Sequence, residues 1–233
     1  MRRIAAVATL VVAAALLLSG CVQSLPTGHQ VVRRVAAAMA RISAYRITGT
    51  SRAGETVTSF RVLVLGDGDF KGTLDIAVPG SKTFRSDVIA TSGKVYVRSP
   101  TELAQLGISS LPGNLAPATT WVLQPAAVAR SYRRSVEPFA GSGLAATLTT
   151  ALKGTLTVRR SKLGGVRALL VEEAGGRSSL RLFVGPDTDH LLELAITGDQ
   201  PISLRYSAFG LTEAVVPPPP TQVYVPPTPA APG

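Results

Sequence analysis

The only cysteine of this 233-residue chain ends a segment that export and acylation chemistry could use. Arg2 and Arg3 precede an apolar run, Ile4 to Leu18, which is followed by Ser19-Gly20-Cys21. Positive charge, an apolar stretch and small residues in that order are typical of a secretory signal peptide. The run is shorter than the roughly 20 residues that span a bilayer. A signal anchor that is never cleaved is the alternative interpretation.

The residues Leu18-Ser19-Gly20-Cys21 resemble the lipobox of bacterial lipoproteins, in which the cysteine thiol receives a diacylglyceryl group and becomes the new N-terminus. The resemblance predicts a signal peptide over 1–20 and covalent acyl chains on Cys21, with no other cofactor. Two or three acyl chains anchor a protein durably, at about 0.8 kcal/mol per buried methylene. We therefore expect an exported protein that its lipid holds on the outer leaflet of the cytoplasmic membrane or elsewhere in the cell envelope.

The residues that could do acid–base or metal chemistry are few. His190 follows Asp187-Thr188-Asp189, which is compatible with a metal site or an Asp–His pair, but a polar turn entering a strand is the preferred interpretation. Glu172-Glu173 are adjacent, so on a strand they point to opposite faces. Gly141-Ser142-Gly143 lacks the outer glycines of a nucleophile elbow. We predict no catalytic residue, no metal site and no enzyme.

The positive charge does not indicate a nucleic-acid partner. The chain carries a formal charge of +10, of which two arginines leave with the signal peptide. The remaining basic residues are scattered and have no interleaved aromatic side chains on which bases could stack. Two interpretations stay open: attraction to anionic lipid headgroups, and simple solvation of surface charges. The sequence indicates no particular partner protein.

The apolar periodicity predicts a helix followed by two runs of strands on either side of a helical middle. The first helix is predicted over 30–42. Strands are predicted over 45–51, 56–65, 70–78, 82–90 and 94–98 and, after helices over 124–134 and 144–152, over 154–162, 166–173, 179–184, 191–197 and 201–207. Strands joined by short turns make antiparallel meanders and not a parallel α/β fold.

Four segments follow from these patterns. Residues 1–20 are the signal peptide, 21–29 a lipidated tether, 30–215 one domain, and 216–233 a proline-rich tail. Proline-rich segments lack backbone donors and bury little, so we expect the tail to be disordered and to contribute little to stability.

The fold class predicted is α+β, a strongly curved antiparallel sheet of about ten strands wrapped on a few helices. A sheet of that size curls, and its concave face must close over helices, as an ordinary core, or over an apolar ligand. Strand 70–78 alternates apolar with polar residues, which gives it one dry face. The side chains expected on the concave face, as candidates for a lipid cavity, are Phe60, Val62, Val64, Phe70, Leu74, Ile76, Leu180, Leu182, Leu192 and Leu194.

Short segments along the chain resemble the LolA-like half-barrel lipoproteins, in particular the mycobacterial LppX–LprG group. They include 45–50 (YRITGT), 93–97 (GKVYV) followed by a loop and Trp121, 190–194 (HLLEL) and 206–210 (YSAFG). The resemblance implies a half-barrel of about eleven strands whose cavity binds or carries acylated lipids of the cell envelope. The alternative is a non-catalytic scaffold or adhesion lipoprotein with the same fold and no cargo. The proline tail and the 99–120 loop depart from the family.

Overall fold

The computed structural model describes residues 24–99, 115–116, 118–152, 154–173 and 179–227. The predicted signal peptide and Cys21 lie outside these residues. The described chain forms three α-helices, one large sheet and two 3₁₀ turns. The helices are α1 (Gly28–Met39), α2 (Ala126–Val136) and α3 (Gly141–Ala151), and the 3₁₀ turn Glu137–Phe139 joins α2 to α3.

Helix α1 begins inside the segment predicted to be a tether. Thr27 caps it, because the Thr27 Oγ1 accepts a hydrogen bond from the Gln30 N–H at 3.3 Å and the Thr27 N–H donates to Gln30 Oε1 at 3.0 Å. This reciprocal capping box satisfies donors that a helix start leaves free. The helix therefore begins two residues before the end of the predicted tether, 21–29.

Among the described residues the sheet contains twelve strands, which is two more than predicted. The ten predicted strands have the predicted bounds to within two residues, and the additional strands are β6 and β12. In chain order the strands are β1 (Ala44–Ala53), β2 (Thr56–Leu65), β3 (Phe70–Ala77), β4 (Phe84–Thr91), β5 (Lys94–Arg98), β6 (Trp121–Leu123), β7 (Leu156–Leu163), β8 (Val166–Glu173), β9 (Ser179–Val184), β10 (Leu191–Thr197), β11 (Ile202–Ser207) and β12 (Val223–Tyr224).

Two antiparallel meanders, the first formed by β1–β6 and the second by β7–β11, meet at one strand pair. The spatial order is β12-β6-β5-β4-β3-β2-β1-β11-β10-β9-β8-β7, so the pairing of β1 with β11 joins the two halves. All neighbours are antiparallel except β12 and β6, which run parallel. The sheet curls without closing, and β7 and β12 remain as edges. The architecture is the α+β half-barrel that the strand pattern predicted.

The main core lies between the concave face of the sheet and the helices. Val35 and Met39 of α1 are fully buried, as is Leu144 of α3. They pack with strand residues from both halves of the sheet, including Val64 and Leu204. Helix α1 contacts α3 directly. One contiguous core therefore spans the junction between the two meanders.

The segment after β11 crosses the convex face of the sheet, and we call residues 209–224 the C-terminal strap. The Gly210 N–H donates to the Ala44 carbonyl at 2.8 Å. Val215 is buried in a second small core with Ala44 and Leu63. The strap ends in β12, whose Val223 is the register partner of Trp121 on β6. It therefore runs across the first meander from β1 to its outer edge.

The prediction that the chain is disordered from Val216 onward is wrong for residues 216–227. Pro218 is buried, and the strand residues Val223 and Tyr224 pair with β6. Proline cannot donate to a ladder inside a sheet, but an extended proline segment can lie across a sheet face and offer carbonyl oxygens to it. The rest of the predicted tail, 228–233, lies outside the described residues.

Candidate functional site

An apolar pocket of about 230 Å³ lies between the concave face of β1–β4 and the cover formed by α2 and the 3₁₀ turn. Among the described residues that line it, none is charged, and the polar side chains carry hydroxyl groups. The residues lining it are Ile47, Phe60, Val62, Phe70, Gly72, Thr73, Leu74, Val88, Tyr132, Ser135, Val136 and Phe139. Such walls offer hydrocarbon contact and almost no hydrogen bonding.

Gly72 opens the floor of this pocket. It is the register partner of both Val62 and Val88, so it lies in the middle of the concave apolar row. A Cβ at this position would come within 2.4 Å of the Arg61 carbonyl oxygen and 2.9 Å of the Val62 Cα. Those distances exclude a side chain. The glycine therefore leaves a gap in a row that valines fill on either side.

Helix α2 covers the pocket but is loosely packed on the sheet. Ala129 is its one buried residue, while Tyr132 and Val136 are half-buried over the pocket. Near its C-terminal end, Arg133 donates to Asp69 Oδ1 at 3.2 Å and to the Gly68 carbonyl at 3.3 Å. These two bonds attach the C-terminal end of α2 to the turn between β2 and β3.

Tyr45 lies where the 3₁₀ turn that covers the pocket joins α3. Its hydroxyl donates to the Phe139 carbonyl at 3.2 Å and accepts from the Gly141 N–H at 2.7 Å. Burial raises the pKa of Tyr45 to about 12, and the bond from Gly141 acts in the opposite direction. The neutral hydroxyl fixes the joint between the 3₁₀ turn and α3. Leu144 and Leu148 of α3 are fully buried in the main core.

This architecture occurs in solved structures. The chain aligns with LprF from Mycobacterium bovis over 82% of this chain and 96% of that chain, with a TM-score of 0.54 and 13% identity. It aligns with lipoprotein LppX from Mycobacterium tuberculosis over 81% of this chain and 98% of that chain, with a TM-score of 0.50 and 11% identity. The chain has the LppX-type fold. No protein-family model and no curated protein matches it, so the likeness is one of fold.

Within the LppX-type fold, the ten predicted cavity residues fall into three groups. Four of them line the pocket: Phe60, Val62, Phe70 and Leu74. Four others pack in the core cluster outside the pocket: Val64, Leu180, Leu182 and Leu194. The last two, Ile76 and Leu192, are half-buried and belong to neither. Among the described residues, the second meander therefore supplies core and no wall of the pocket under α2.

Leu192 does not follow the predicted alternation, because β10 contains a register shift that the sequence does not show. The pairing of β10 with β9 is irregular between Leu191 and Glu193. As a result, Leu191 and Leu194 both face the core, at 0% and 4% exposure, although they are three residues apart. A bulge of this kind breaks strict alternation. Ile76 follows the alternation, but it lies near the end of β3, beyond the area that the helices cover.

The residues of α2 and the 3₁₀ turn that cover the pocket were not among the ten predicted cavity residues. Tyr132, Val136 and Phe139 are spaced four and three residues apart, which is the spacing of an apolar helix stripe. That signal was available, but it indicates burial in general and not a pocket. Arginines at 130, 133 and 134 interrupt the segment and make it resemble a surface helix.

The histidine considered for chemistry lies in a polar turn. The Asp189 carboxylate pairs with Arg34 at 2.8 Å, and Asp187 pairs with Arg167 at 3.6 Å. The His190 ring packs on Phe209, with 4.5 Å between ring centroids. Within the described ranges, no group of three or more His, Cys, Asp or Glu side chains is placed to hold a metal ion.

The adjacent glutamates also have separate structural partners. Glu172 pairs with Arg181 at 2.9 Å and with Arg159 at 3.1 Å. Glu173 accepts a hydrogen bond from the Gly154 N–H at 3.0 Å. These contacts fix the β7–β8–β9 ladder and do not bring the two carboxylates together.

None of the helices in the described part of the chain has the length and apolarity needed to cross a bilayer.

Proposed function

We propose that this chain is an exported lipoprotein, anchored to the membrane through Cys21, that holds an acyl chain of a cell-envelope lipid beneath α2. The observation that carries the proposal is the apolar pocket between β1–β4 and α2. A pocket without charges favours hydrocarbon, because any polar ligand would lose its hydration without gaining hydrogen bonds. The LppX-type fold supports the proposal as a scaffold that forms such a concavity.

The size of the pocket sets what it can hold. At about 230 Å³ it is smaller than the roughly 300–1,000 Å³ of typical small-molecule sites. It accommodates part of an acyl chain with α2 in its present position. Since α2 buries only Ala129, a shift of its middle away from the sheet would lengthen the pocket at little cost in packing. The proposal therefore makes α2 the element that adapts to the ligand.

The anchor is tested by fractionation. Replacing the single cysteine, Cys21→Ala, removes the thiol that would be acylated. We expect the variant to leave the membrane fraction and to be found in the soluble fraction. Mass spectrometry of the wild-type N-terminal peptide should show the added acyl mass. A variant that stays on membranes and retains residues 1–20 would establish a signal anchor instead.

The ligand is tested by mass spectrometry of organic extracts from protein purified without detergent. Leu74→Trp fills the pocket from its β3 wall, so the extract should lose the lipid that accompanies the wild type. Val166→Trp introduces the same side chain at a position that is 63% exposed and should retain the lipid. Because the pocket has free volume, Leu74→Trp should cost less than the ~1–3 kcal/mol of overpacking a filled core.

A second candidate function, that of a scaffold without cargo, is favoured by a different observation. Outside the pocket, side chains of α1 and α3 are fully buried against strands of both meanders, as in a protein that needs no cargo. If the wild type carries no lipid and Leu74→Trp destabilises the chain as an overpacked core would, the chain is a non-catalytic envelope scaffold. Lipid in the wild-type extract that Leu74→Trp removes would exclude that alternative.

A further inference from the structure

We propose that the outer surface of the helices docks on an anionic phospholipid bilayer, which places α2 and the pocket beneath it against the membrane. By the helix surface we mean the exposed side chains of α1, α2 and α3. The proposal rests on the lipid anchor of the proposed function and adds an orientation and a lipid class to it.

The charges of the helix surface are of one sign. The three helices contain five arginines and no aspartate or glutamate. Arg34 pairs with Asp189 at 2.8 Å, and Arg133 pairs with Asp69 at 3.2 Å. Three arginines are exposed and form no ion pair with any described carboxylate: Arg33, Arg130 and Arg134. Glu137, in the 3₁₀ turn, is the one acidic residue between α2 and α3.

Many basic side chains of the sheet, in contrast, have acidic neighbours. Arg205 pairs with Glu193 at 2.9 Å, and Arg98 pairs with Asp87 at 2.8 Å. The strap contributes Glu213, whose carboxylate contacts Arg46 at 3.0 Å and Lys71 at 2.7 Å. These two cations lower the pKa of Glu213, so it stays ionised. Other cations of the sheet also form no ion pair with a described carboxylate: Arg52, Arg61, Lys94, Arg160 and Lys162. The sheet nevertheless carries carboxylates among its cations, whereas the three helices carry arginines alone.

The predicted anchor precedes the helix surface by only a few residues of sequence. Ser24 is the first described residue, and Thr27, which caps α1, follows Cys21 by six residues. Six residues span at most about 20 Å when extended. Because α1 packs against α3, an acylated Cys21 keeps the helix surface close to the bilayer. Leu25 and Val128 are 39% and 40% exposed there and offer apolar contacts at the interface.

Docking in this orientation would let an acyl chain pass from the bilayer into the pocket without crossing water. Helix α2, which covers the pocket, would rest on the headgroups, so a chain leaving the bilayer could pass beneath it directly. The anionic headgroups would take the position of the carboxylates that Arg33, Arg130 and Arg134 lack. Each basic residue at an anionic surface contributes roughly a fivefold gain in binding.

The test uses a cysteine introduced into the lipidated full-length protein. Cys21 is the only native cysteine, so once it is acylated the thiol of Val128→Cys is the only one free. We expect a neutral polyethylene-glycol maleimide to label it slowly on vesicles containing about one third phosphatidylglycerol, and faster on pure phosphatidylcholine. Val166→Cys, on the sheet and 63% exposed, should react equally in both. Adding Arg33→Glu, Arg130→Glu and Arg134→Glu should abolish the protection, a loss of on the order of a hundredfold in binding.

Equal labelling of Val128→Cys on both vesicles would overturn the docking proposal, and so would protection that survives the three charge reversals. Failure of the anchor is seen separately, because wild-type protein would then react at Cys21. If the anchor fails in this way, docking is tested by flotation of the unanchored chain with the two types of vesicle. Binding to vesicles with phosphatidylglycerol alone supports docking, and binding to neither type contradicts it.

Discussion

Two buried tyrosines lie side by side at the junction of the meanders and differ in what their hydroxyl groups reach. The rings of Tyr45 and Tyr206 are 5.8 Å apart. The Tyr45 hydroxyl bonds both Phe139 and Gly141, whereas the buried Tyr206 hydroxyl has no hydrogen-bond partner among the described residues. Burial raises the pKa of both tyrosines above their ordinary value. The two positions therefore form a natural comparison.

Removing each hydroxyl should have opposite consequences. Tyr45→Phe leaves the Phe139 carbonyl and the Gly141 N–H without their partner, and we expect it to lower the free energy of unfolding by about 1–3 kcal/mol. Tyr206→Phe removes an unsatisfied group and should be neutral or slightly stabilising. Urea denaturation of both variants measures the difference. Equal losses at the two positions would show that the Tyr45 hydroxyl does not hold the 3₁₀ turn.

At the scale of single residues, alternation predicted the pocket wall where a strand is regular. Phe70 and Leu74 on β3 were expected on the concave face, and both line the pocket. The bulge at Leu191 was not visible, because a shift in pairing depends on the neighbouring strand. Gly72 was also missed, since the role of a glycine depends on the backbone that approaches it.

At the scale of elements, the strap is the largest departure from the sequence-based expectation. A run of prolines predicts an extended segment but says nothing about what lies beneath it. Strands β6 and β12, of three and two residues, were missed for a related reason. They exist through pairing with distant partners and not through a periodic pattern of their own. The ten longer strands carry their own alternation and were predicted within two residues.

The packing of the strap is tested by two adjacent valines. Val215 is 8% exposed in the small convex core, and Val216 is 63% exposed. We expect Val215→Ala to cost roughly 1–2 kcal/mol, from about 0.8 kcal/mol per buried methylene and the cavity that remains. Val216→Ala should stay within about 0.5 kcal/mol of the wild type. Equal thermal and urea stability of the two variants would mean that the strap is detached in solution.

At the scale of the whole molecule, the half-barrel is asymmetric in how it is filled. Side chains of α1 and α3 are fully buried in the main core, while the part of the concavity between β1–β4 and α2 contains a pocket. The composition of the strands predicted a curved sheet with a dry concave face. It could not tell which part of that face is filled, because this depends on where the two connecting helices lie across the sheet.

The edges of the open sheet are protected in different ways. At one end β7 carries Arg159, Arg160 and Lys162, and charges of this kind discourage pairing with another chain. At the other end the strap adds β12 to β6, which leaves an edge of only two residues. Both features discourage edge-to-edge pairing of the open half-barrel with another chain.

The central claim, that an acyl chain lies beneath α2, is tested most directly by photocrosslinking. The lipidated wild-type protein is loaded with a phospholipid that carries a diazirine in its acyl chain, irradiated, digested and analysed by mass spectrometry. We expect crosslinks in the peptides that contain Phe60, Leu74 and Val136, and their loss on competition with unlabelled phospholipid. Crosslinks confined to the convex face or to the exposed residues of α1 and α3, or none at all, would contradict the account.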